Sequence, residues 1–172
     1  HEYHKGSMQS IIQKSVKNVN ENKCIQLFKS YHEDFNDGDQ KRDFIYVKDS
    51  VKVVNWFLKN STCNGLFNLG TGKSRTWNEL AQAIFDASTN EEEKNRKPYK
   101  RSDKVLFKTQ KKKGNIAYID MPLNLRDQYQ YFTEAKMTKL KDTGCHIKFK
   151  TLQESVLDYV ENHIEKELYL TL

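Results

Sequence analysis

The first candidate for chemistry in this sequence is a run of glycines beside a lysine and a serine, Gly70–Ser74. Backbone amides in a glycine-rich turn before a helix can bind phosphate groups. A P-loop also needs a glycine five positions before Gly72, where the chain has Phe67, whose bulk would keep the backbone from wrapping the phosphates. A dinucleotide fingerprint needs a third glycine, and that position holds Arg75. The run therefore predicts a strand-to-helix turn and excludes ATP binding through this loop.

Histidine and cysteine are the other residues whose spacing could indicate chemistry. The five histidines form no spacing suited to a metal site on one helix face. They are His1, His4, His32, His146 and His163. The three cysteines are odd in number and widely spaced, without a C-x-x-C motif: Cys24, Cys63 and Cys145. No G-x-S-x-G motif marks a serine nucleophile. These absences argue against a metal site or a disulfide framework and predict a reducing compartment, the cytosol.

The chain has 172 residues and a net charge of +6, which raises the question of a nucleic-acid partner. Residues Thr89–Lys113 hold ten of the 29 basic and four of the 23 acidic residues, so the remainder has nineteen of each sign. That segment contains Pro98 and has no helical or strand periodicity. It predicts a solvated insertion loop more strongly than a nucleic-acid tether. No apolar run approaches the roughly 20 residues of a membrane span.

Periodicity and turn signals predict alternating helices and strands on either side of this loop. The N-terminal half predicts a helix capped by Ser7, a strand at Cys24–Phe28, a turn-rich stretch at His32–Gln40, a strand at Asp43–Val47, a helix at Asp49–Lys59 and a strand at Leu66–Leu69. The C-terminal half predicts a strand at Ile116–Ile119 and a short helix that begins at Thr133 and ends at Gly144. Two capping boxes, Thr76-x-x-Glu79 and Thr151-x-x-Glu154, predict two further helix starts. This alternation predicts an α/β fold.

Four short motifs in this order resemble a known family. They are H-K-G-S-M from His4, K-R-D-F-I-Y-V-K-D from Lys41, F-N-L-G-T-G from Phe67 and Y-Q-x-F-T from Tyr129. Together they resemble the C-terminal part of an extended short-chain dehydrogenase/reductase of the NAD-dependent epimerase/dehydratase family. That part comprises the substrate domain and the last elements of the Rossmann domain. The first and last motifs resemble a narrower branch, whose members invert C6″ of an ADP-linked glycero-manno-heptose for lipopolysaccharide assembly.

The resemblance implies a reaction and a set of site residues. The heptose would be oxidised at C6″ to a transient ketone and reduced again on the other face, with NADP (or NAD) as cofactor. Lys5 would be one of two catalytic bases and would also contact the cofactor, which requires burial or a neighbouring cation to favour its neutral amine. Ser7, Phe28 and Tyr129 would contact the substrate, and Arg42 would hold its diphosphate through a fork of donors.

Two features of the family are missing from the sequence. No G-x-x-G-x-x-G precedes the motifs, and no tyrosine has a lysine four positions later. We therefore expect a C-terminal fragment without epimerase activity of its own. In the intact enzyme the missing domain would bind most of the cofactor, and homo-oligomers would form. The expected organisation is a first substrate-binding region at 1–88, the insertion loop at 89–113 and the rest of the substrate-binding region at 114–172.

Two alternatives remain open. The motifs shared across the family also permit a fragment of another nucleotide-sugar epimerase or dehydratase. The basic segment also permits a non-enzymatic module that binds nucleic acid or an acidic surface. Such a module would not need Lys5, Arg42 and Tyr129 to converge on one pocket.

Overall fold

The computed structural model describes residues 2–22, 24–88 and 115–164, without the side chains of Tyr3, Ser7 and Asn22. The basic insertion expected at 89–113 therefore lies outside the described residues. Within the described ranges, no helix is long and apolar enough to cross a membrane. The same ranges contain no cluster of three or more His, Cys, Asp or Glu side chains able to hold a metal ion.

Helices and strands alternate along the chain, so the predicted mixed α/β class is confirmed. A 3₁₀ helix at Tyr3–Met8 is followed by α1 (Ile11–Asn22), β1 (Cys24–Phe28), β2 (Lys41–Arg42), α2 (Val47–Lys59), β3 (Arg75–Thr76) and α3 (Trp77–Ser88). The remaining elements are β4 (Asn115–Ile119), α4 (Leu123–Arg126), α5 (Thr138–Asp142), α6 (Leu152–Tyr159) and a π-helical turn at Val160–Ile164.

The described strands form two small sheets. Strand β1 pairs with β4, and β2 pairs with β3. The second pair is antiparallel, with Lys41 opposite Thr76 and Arg42 opposite Arg75. Lys41 also forms an isolated parallel bridge with Phe132, so the short strand β2 has a neighbour on each side.

One compact unit comprises residues 1–25, 81–117 and 156–172. Its buried apolar side chains come mainly from α1, α3, α6 and the π-helical turn, and they include Val16, Val19, Ile84, Phe85, Val156 and Val160. Glu2 links the N-terminal segment to α6 within this unit. Its carboxylate accepts hydrogen bonds from the Tyr159 hydroxyl (2.9 Å) and from the Ser10 amide (3.2 Å).

The other compact unit comprises residues 26–80 and 118–155. Its core is built from buried residues of α2, α5 and the adjacent segments, Val53, Met137, Leu140 and Cys145. Aromatic residues pack around them, including Trp56, Phe57, Phe67 and Phe149. Both units combine separate stretches of chain, whereas the regions expected at 1–88, 89–113 and 114–172 follow chain order and stay a prediction.

Predictions that rested on local hydrogen bonding are confirmed. In the first capping box the Glu79 amide donates to Thr76 Oγ1 (3.0 Å) and the Thr76 amide donates to Glu79 Oε2 (2.8 Å). The second box has the same reciprocal pair between Thr151 and Glu154. Both threonines immediately precede the helices that they were expected to start, α3 and α6. The strands expected at Cys24–Phe28 and Ile116–Ile119 are also present, as β1 and β4.

Predictions that rested on apolar composition alone are partly wrong. Residues 43–46 are not a strand, because Asp43 binds distant backbone amides instead of extending β2, and α2 begins at Val47. The expected strand at Leu66–Leu69 is absent, and Leu66 is 88% exposed. The helix expected to begin at Thr133 begins at Thr138.

The predicted start of the first helix is also wrong. The α-helix begins at Ile11, and the hydroxyl of Ser10 accepts a hydrogen bond from the Gln13 amide, so the capping role that was expected of Ser7 falls three residues later, to Ser10. Ser7 lies within the preceding 3₁₀ helix instead. A positive φ of 51° at Gly6 interrupts this helix, a backbone conformation that glycine adopts without strain.

Candidate functional site

Lys5 lies in the 3₁₀ helix, next to a carboxylate. Its Nζ atom is 3.2 Å from Glu2 Oε1, and its side chain is 43% exposed. Burial alone would raise the pKa of Glu2, but hydrogen bonds from Ser10, Tyr159 and Lys5 outweigh this and lower it. These contacts keep Glu2 ionised and pair Lys5 with a negative charge. The described surroundings of Lys5 supply neither the burial nor the neighbouring cation that a lysine base needs, so that role stays a prediction.

Ser7 and Phe28 were the next expected substrate contacts. The side chain of Ser7 is outside the described structure, so its contacts stay a prediction. Phe28 ends β1 and is half-buried, and its carbonyl accepts a hydrogen bond of 3.4 Å from the buried side chain of Gln40. The adjacent Lys29 amide donates to the Ile119 carbonyl (2.9 Å). Phe28 thus lies where β1 leaves its sheet, in the same compact unit as Arg42 and Tyr129.

Arg42 and Tyr129 are in direct contact. The guanidinium carbon of Arg42 is 5.0 Å from the centroid of the Tyr129 ring, which is a cation–π distance. Arg42 Nη1 also donates to the Lys41 carbonyl (2.9 Å). These two contacts fix the plane of the half-buried guanidinium. Of its five N–H donors, one makes a hydrogen bond to a described residue. The structure therefore brings together two of the five expected site residues.

The surroundings of Tyr129 are apolar on one side and cationic on the other. Burial raises the pKa of the Tyr129 hydroxyl, although Arg42 and the indole N–H of Trp77 act in the opposite direction. That indole nitrogen is buried and makes no hydrogen bond of standard geometry, so its effect on Tyr129 is a close electrostatic contact. Trp77 also packs edge-on against Phe44, with 5.1 Å between ring centroids. Tyr129 is consequently a neutral, well-packed support for Arg42.

Backbone pairing explains how distant motifs reach Arg42. The Lys41 amide donates to the Tyr131 carbonyl (2.8 Å), and the Thr133 amide donates to the Lys41 carbonyl (3.2 Å). This parallel bridge aligns the Y-Q-x-F-T motif with the start of the R-D-F motif. Two stretches about 90 residues apart in sequence are therefore hydrogen-bonded neighbours.

Asp43 joins a third motif to these two. Its carboxylate accepts hydrogen bonds from the Thr71 amide (2.8 Å) and hydroxyl, the Gly72 amide (2.9 Å) and the Ala135 amide (3.0 Å). Burial alone would raise the pKa of Asp43, but these hydrogen bonds lower it. From the sequence, Asp43 was expected only as part of a motif and as the start of a strand, and this role was missed. The signal that could have indicated this role is the place of an acidic residue inside a motif of the family, next to Arg42.

The same hydrogen bonds bear on the glycine run. The amides of Thr71 and Gly72 donate hydrogen bonds to the Asp43 carboxylate, so they are not available to bind a phosphate. The rejected P-loop is consistent with this geometry. A cavity of about 330 Å³ lies beside the loop, lined by Asp43, Asn68, Leu69, Gly70, Thr133, Glu134 and Ala135.

A second polar cluster, which sequence analysis also missed, surrounds Tyr31. Arg126 lies over the Tyr31 ring at 3.7 Å from its centroid, and its Nη2 donates to the Tyr31 hydroxyl (2.9 Å). That hydroxyl donates to Asp120 Oδ1 (2.9 Å), which Lys29 also contacts at 3.1 Å. The hydrogen bond from Tyr31 and the Lys29 contact lower the pKa of Asp120. The cluster is exposed and joins the segment after β1 to the segment after β4.

Comparison with known proteins identifies relatives over nearly the whole chain. The chain is 45% identical over 163 residues to ADP-L-glycero-D-manno-heptose-6-epimerase of Nitratidesulfovibrio vulgaris (strain DP4). This match covers 95% of the chain and 44% of the relative. It is 39% identical over 166 residues to the enzyme of the same name from Fusobacterium nucleatum, covering 96% of this chain and 45% of that one. The chain thus spans less than half the length of these relatives.

Structural comparison points to the same class of fold. Among solved structures, dTDP-glucose 4,6-dehydratase from Bacillus anthracis in complex with NAD matches with a TM-score of 0.56. The identity is 20%, and the match covers 91% of this chain and 40% of the other. Residues 1–70 match the description "NAD dependent epimerase/dehydratase family". Residues 1–70 thus resemble this family, the chain has the fold of extended short-chain dehydrogenases/reductases, and over nearly its whole length it is similar to enzymes named ADP-L-glycero-D-manno-heptose-6-epimerase.

Proposed function

We propose that this chain is the substrate-binding portion of a nucleotide-sugar epimerase acting on ADP-glycero-manno-heptose. The observation that carries the proposal is the contact of Arg42 with Tyr129 in a chain 45% identical to an enzyme of that name. A planar guanidinium held by an aromatic ring and a backbone carbonyl keeps several donors free for phosphate oxygens. Arg42 would bind the diphosphate, and Tyr129 would support it and contact the nucleotide-sugar.

The proposal divides the reaction between this chain and the remainder of a longer protein. In the intact enzyme a nicotinamide cofactor would supply the hydride chemistry at C6″, and NADP is the expected form. The turn at residues 70–72 does not offer a phosphate cradle, because the amides of Thr71 and Gly72 donate to Asp43. We therefore assign cofactor binding mainly to sequence that this chain does not contain, with Lys5 as its proposed contact here. No catalytic step is assigned to the chain alone.

Binding of ADP to the 172-residue chain tests this proposal. Isothermal titration calorimetry should detect ADP binding, and Arg42→Gln should weaken it by about tenfold or more because a charged hydrogen-bonding partner is lost. Lys41→Gln is the matched control, since it removes the same charge one residue away on the opposite face of β2. Equal effects of the two substitutions would show that ADP responds only to net charge and would refute the proposed role of Arg42.

The basic segment supports a second candidate function. The +6 charge surplus of Thr89–Lys113 would suit nucleic acid or an acidic surface. The same calorimetry with a short single-stranded RNA distinguishes this binding module from the nucleotide-sugar epimerase. RNA binding that weakens steeply with salt and is lost on deletion of 89–113, together with no ADP binding, would favour the binding module.

A further inference from the structure

The pairing of β2 with β3 places a second arginine beside Arg42. The register sets Arg42 directly opposite Arg75, and Lys41 opposite Thr76. Directly opposite residues of an antiparallel pair project to the same face of the sheet, with their Cβ atoms roughly 5 Å apart. Arg42 and Arg75 therefore share one face, and Lys41 points to the other.

Two like charges in this position repel each other, and the described residues offset the repulsion only weakly. Arg75 Nη1 is 3.7 Å from Glu79 Oε1, too far for a good hydrogen bond. Glu79 is also committed through Oε2 to the capping box, where it accepts the Thr76 amide. Arg42 contacts a carbonyl oxygen and an aromatic ring, and both of these partners are neutral.

Among the described residues Asp43 makes no ion pair with Arg42 or Arg75, although it is adjacent to Arg42 in sequence. Both of its carboxylate oxygens accept hydrogen bonds from donors in the 71–72 turn and from Ala135. Its carboxylate oxygens are thus engaged by the neighbouring loops and not by the arginines of the strand pair. Across the part of the chain that the structure describes, the 3.7 Å contact of Arg75 with Glu79 is the one ion pair that either guanidinium makes with a carboxylate.

The backbone near Arg75 cannot bind an anion in place of the side chains. At the start of α3 the Trp77 amide donates to the Gln40 carbonyl (3.2 Å), and the Asn78 amide donates to the Gly38 carbonyl (3.0 Å). The amides of Thr76 and Glu79 are used within the capping box. The positive end of the helix dipole adds to the local potential, but the donors for an anion must come from the arginine side chains.

We propose that Arg75 is a second diphosphate-binding residue that acts together with Arg42. Two adjacent guanidinium groups on one face match two linked phosphates, since each planar fork can engage the oxygens of one phosphate. A single phosphate would engage the pair less completely. Arg75 thereby makes the site selective for a nucleoside diphosphate group over a monophosphate. This inference rests on the proposed function, because it assigns a second contact to the same substrate.

Calorimetry with ADP and AMP tests the inference on the full 172-residue chain. Arg75→Gln should lower ADP affinity by about tenfold and AMP affinity by much less, so the ADP-over-AMP preference should fall. Arg75→Lys keeps the charge but loses the fork, and it should recover only part of the ADP affinity. Lys73→Gln is the matched control, because it removes one exposed positive charge two residues away and should leave the preference unchanged.

The outcomes separate this inference from the proposal on which it rests. If Arg42→Gln weakens ADP binding and Arg75→Gln does not, Arg75 has no such role and the proposed function stands. If neither substitution matters, or the unaltered chain does not bind ADP, both ideas fail. The melting temperature of each variant, measured by circular dichroism, checks that a loss of binding does not reflect a loss of folding.

Discussion

Asp43→Asn should destabilise the chain much more than its small size change implies. Oδ1 of Asp43 accepts hydrogen bonds from the amide and hydroxyl of Thr71, and Oδ2 accepts them from the amides of Gly72 and Ala135. An asparagine amide group has one acceptor oxygen and one NH₂ donor. If its NH₂ group replaces Oδ2, it faces the amides of Gly72 and Ala135, and both lose their acceptor. If the NH₂ group replaces Oδ1, the Thr71 amide loses its acceptor, whereas the Thr71 hydroxyl can turn and accept.

The expected cost follows from these lost hydrogen bonds. A hydrogen bond to a charged group contributes about 1.5–3 kcal/mol, and a buried donor left without an acceptor costs about 1–3 kcal/mol. Asp43 is only half-buried, so water will satisfy part of the loss. We expect the free energy of unfolding to fall by roughly 2–4 kcal/mol, and the melting temperature by roughly 5–15 °C for a chain of this length.

Tryptophan fluorescence during urea unfolding is the suitable assay. The chain contains two tryptophans, Trp56 and Trp77, and both lie in the same compact unit as Asp43. The signal therefore reports on the unit that the substitution affects. Asp34→Asn is the matched control. The Asp34 side chain is 83% exposed, so this substitution removes the same charge without removing a hydrogen bond from a backbone amide of the described residues.

The pH dependence supplies a second test with a definite sign. The pKa of Asp43 is lowered in the folded state, so its ionised form stabilises folding above the unfolded pKa of about 3.9. That stabilisation is lost as the pH falls through the folded pKa. The difference between the unaltered chain and Asp43→Asn should thus be constant at neutral pH and shrink below about pH 4. A variant as stable as Asp34→Asn, or a difference that grows in acid, would refute the reasoning.

Four further outcomes follow from the structure. Gly70→Ala should destabilise by about 1–3 kcal/mol in urea unfolding, because a methyl group there would overlap the Asp43 carboxylate; an unchanged midpoint would show that the loop moves freely. Thr151→Ala should cost about 1 kcal/mol in thermal unfolding, since the Glu154 amide loses its capping acceptor, and Thr151→Ser should restore most of it. Tyr129→Ala should weaken ADP binding severalfold and Tyr129→Phe should not, because the cation–π contact needs the ring and not the hydroxyl; equal losses would contradict this. The chain alone should not convert ADP-heptose in the presence of NADP, with the intact Nitratidesulfovibrio vulgaris relative as the positive control.

The parts of the fold that the sequence predicted correctly depend on short-range chemistry. A capping box satisfies backbone donors within four residues, so Thr76 and Thr151 define the starts of α3 and α6 without any knowledge of the tertiary fold. The strand expected at Asp43–Val47 failed for the opposite reason. Its β-branched and aromatic residues favour a strand, but Asp43 obtains its partners from residues 28 and 92 positions away.

The site shows the same limit. The resemblance supplied Arg42 and Tyr129, and the structure brings them together. The resemblance could not supply Arg75, because the significance of that residue comes from strand register, and a two-residue strand has no periodicity to detect.

The exposure of one apolar face of α2 could not be predicted from the sequence either. Val47, Val51, Val54 and Leu58 have helical spacing typical of a core, yet all four are at least half exposed.

Adjacent residues of one motif therefore serve different purposes. Asp43 uses every carboxylate oxygen to hold the 71–72 turn and the segment near Ala135 in place, so it supports the architecture of the site. Arg42, one residue earlier, makes a single hydrogen bond to a neighbouring carbonyl and rests on a ring. A ligand that takes up the remaining donors of Arg42 disturbs none of the bonds made by Asp43. Substitution should thus have different effects at these two positions. Loss of the Asp43 carboxylate should lower the free energy of unfolding, whereas loss of the Arg42 guanidinium should weaken ligand binding and leave the free energy of unfolding nearly unchanged.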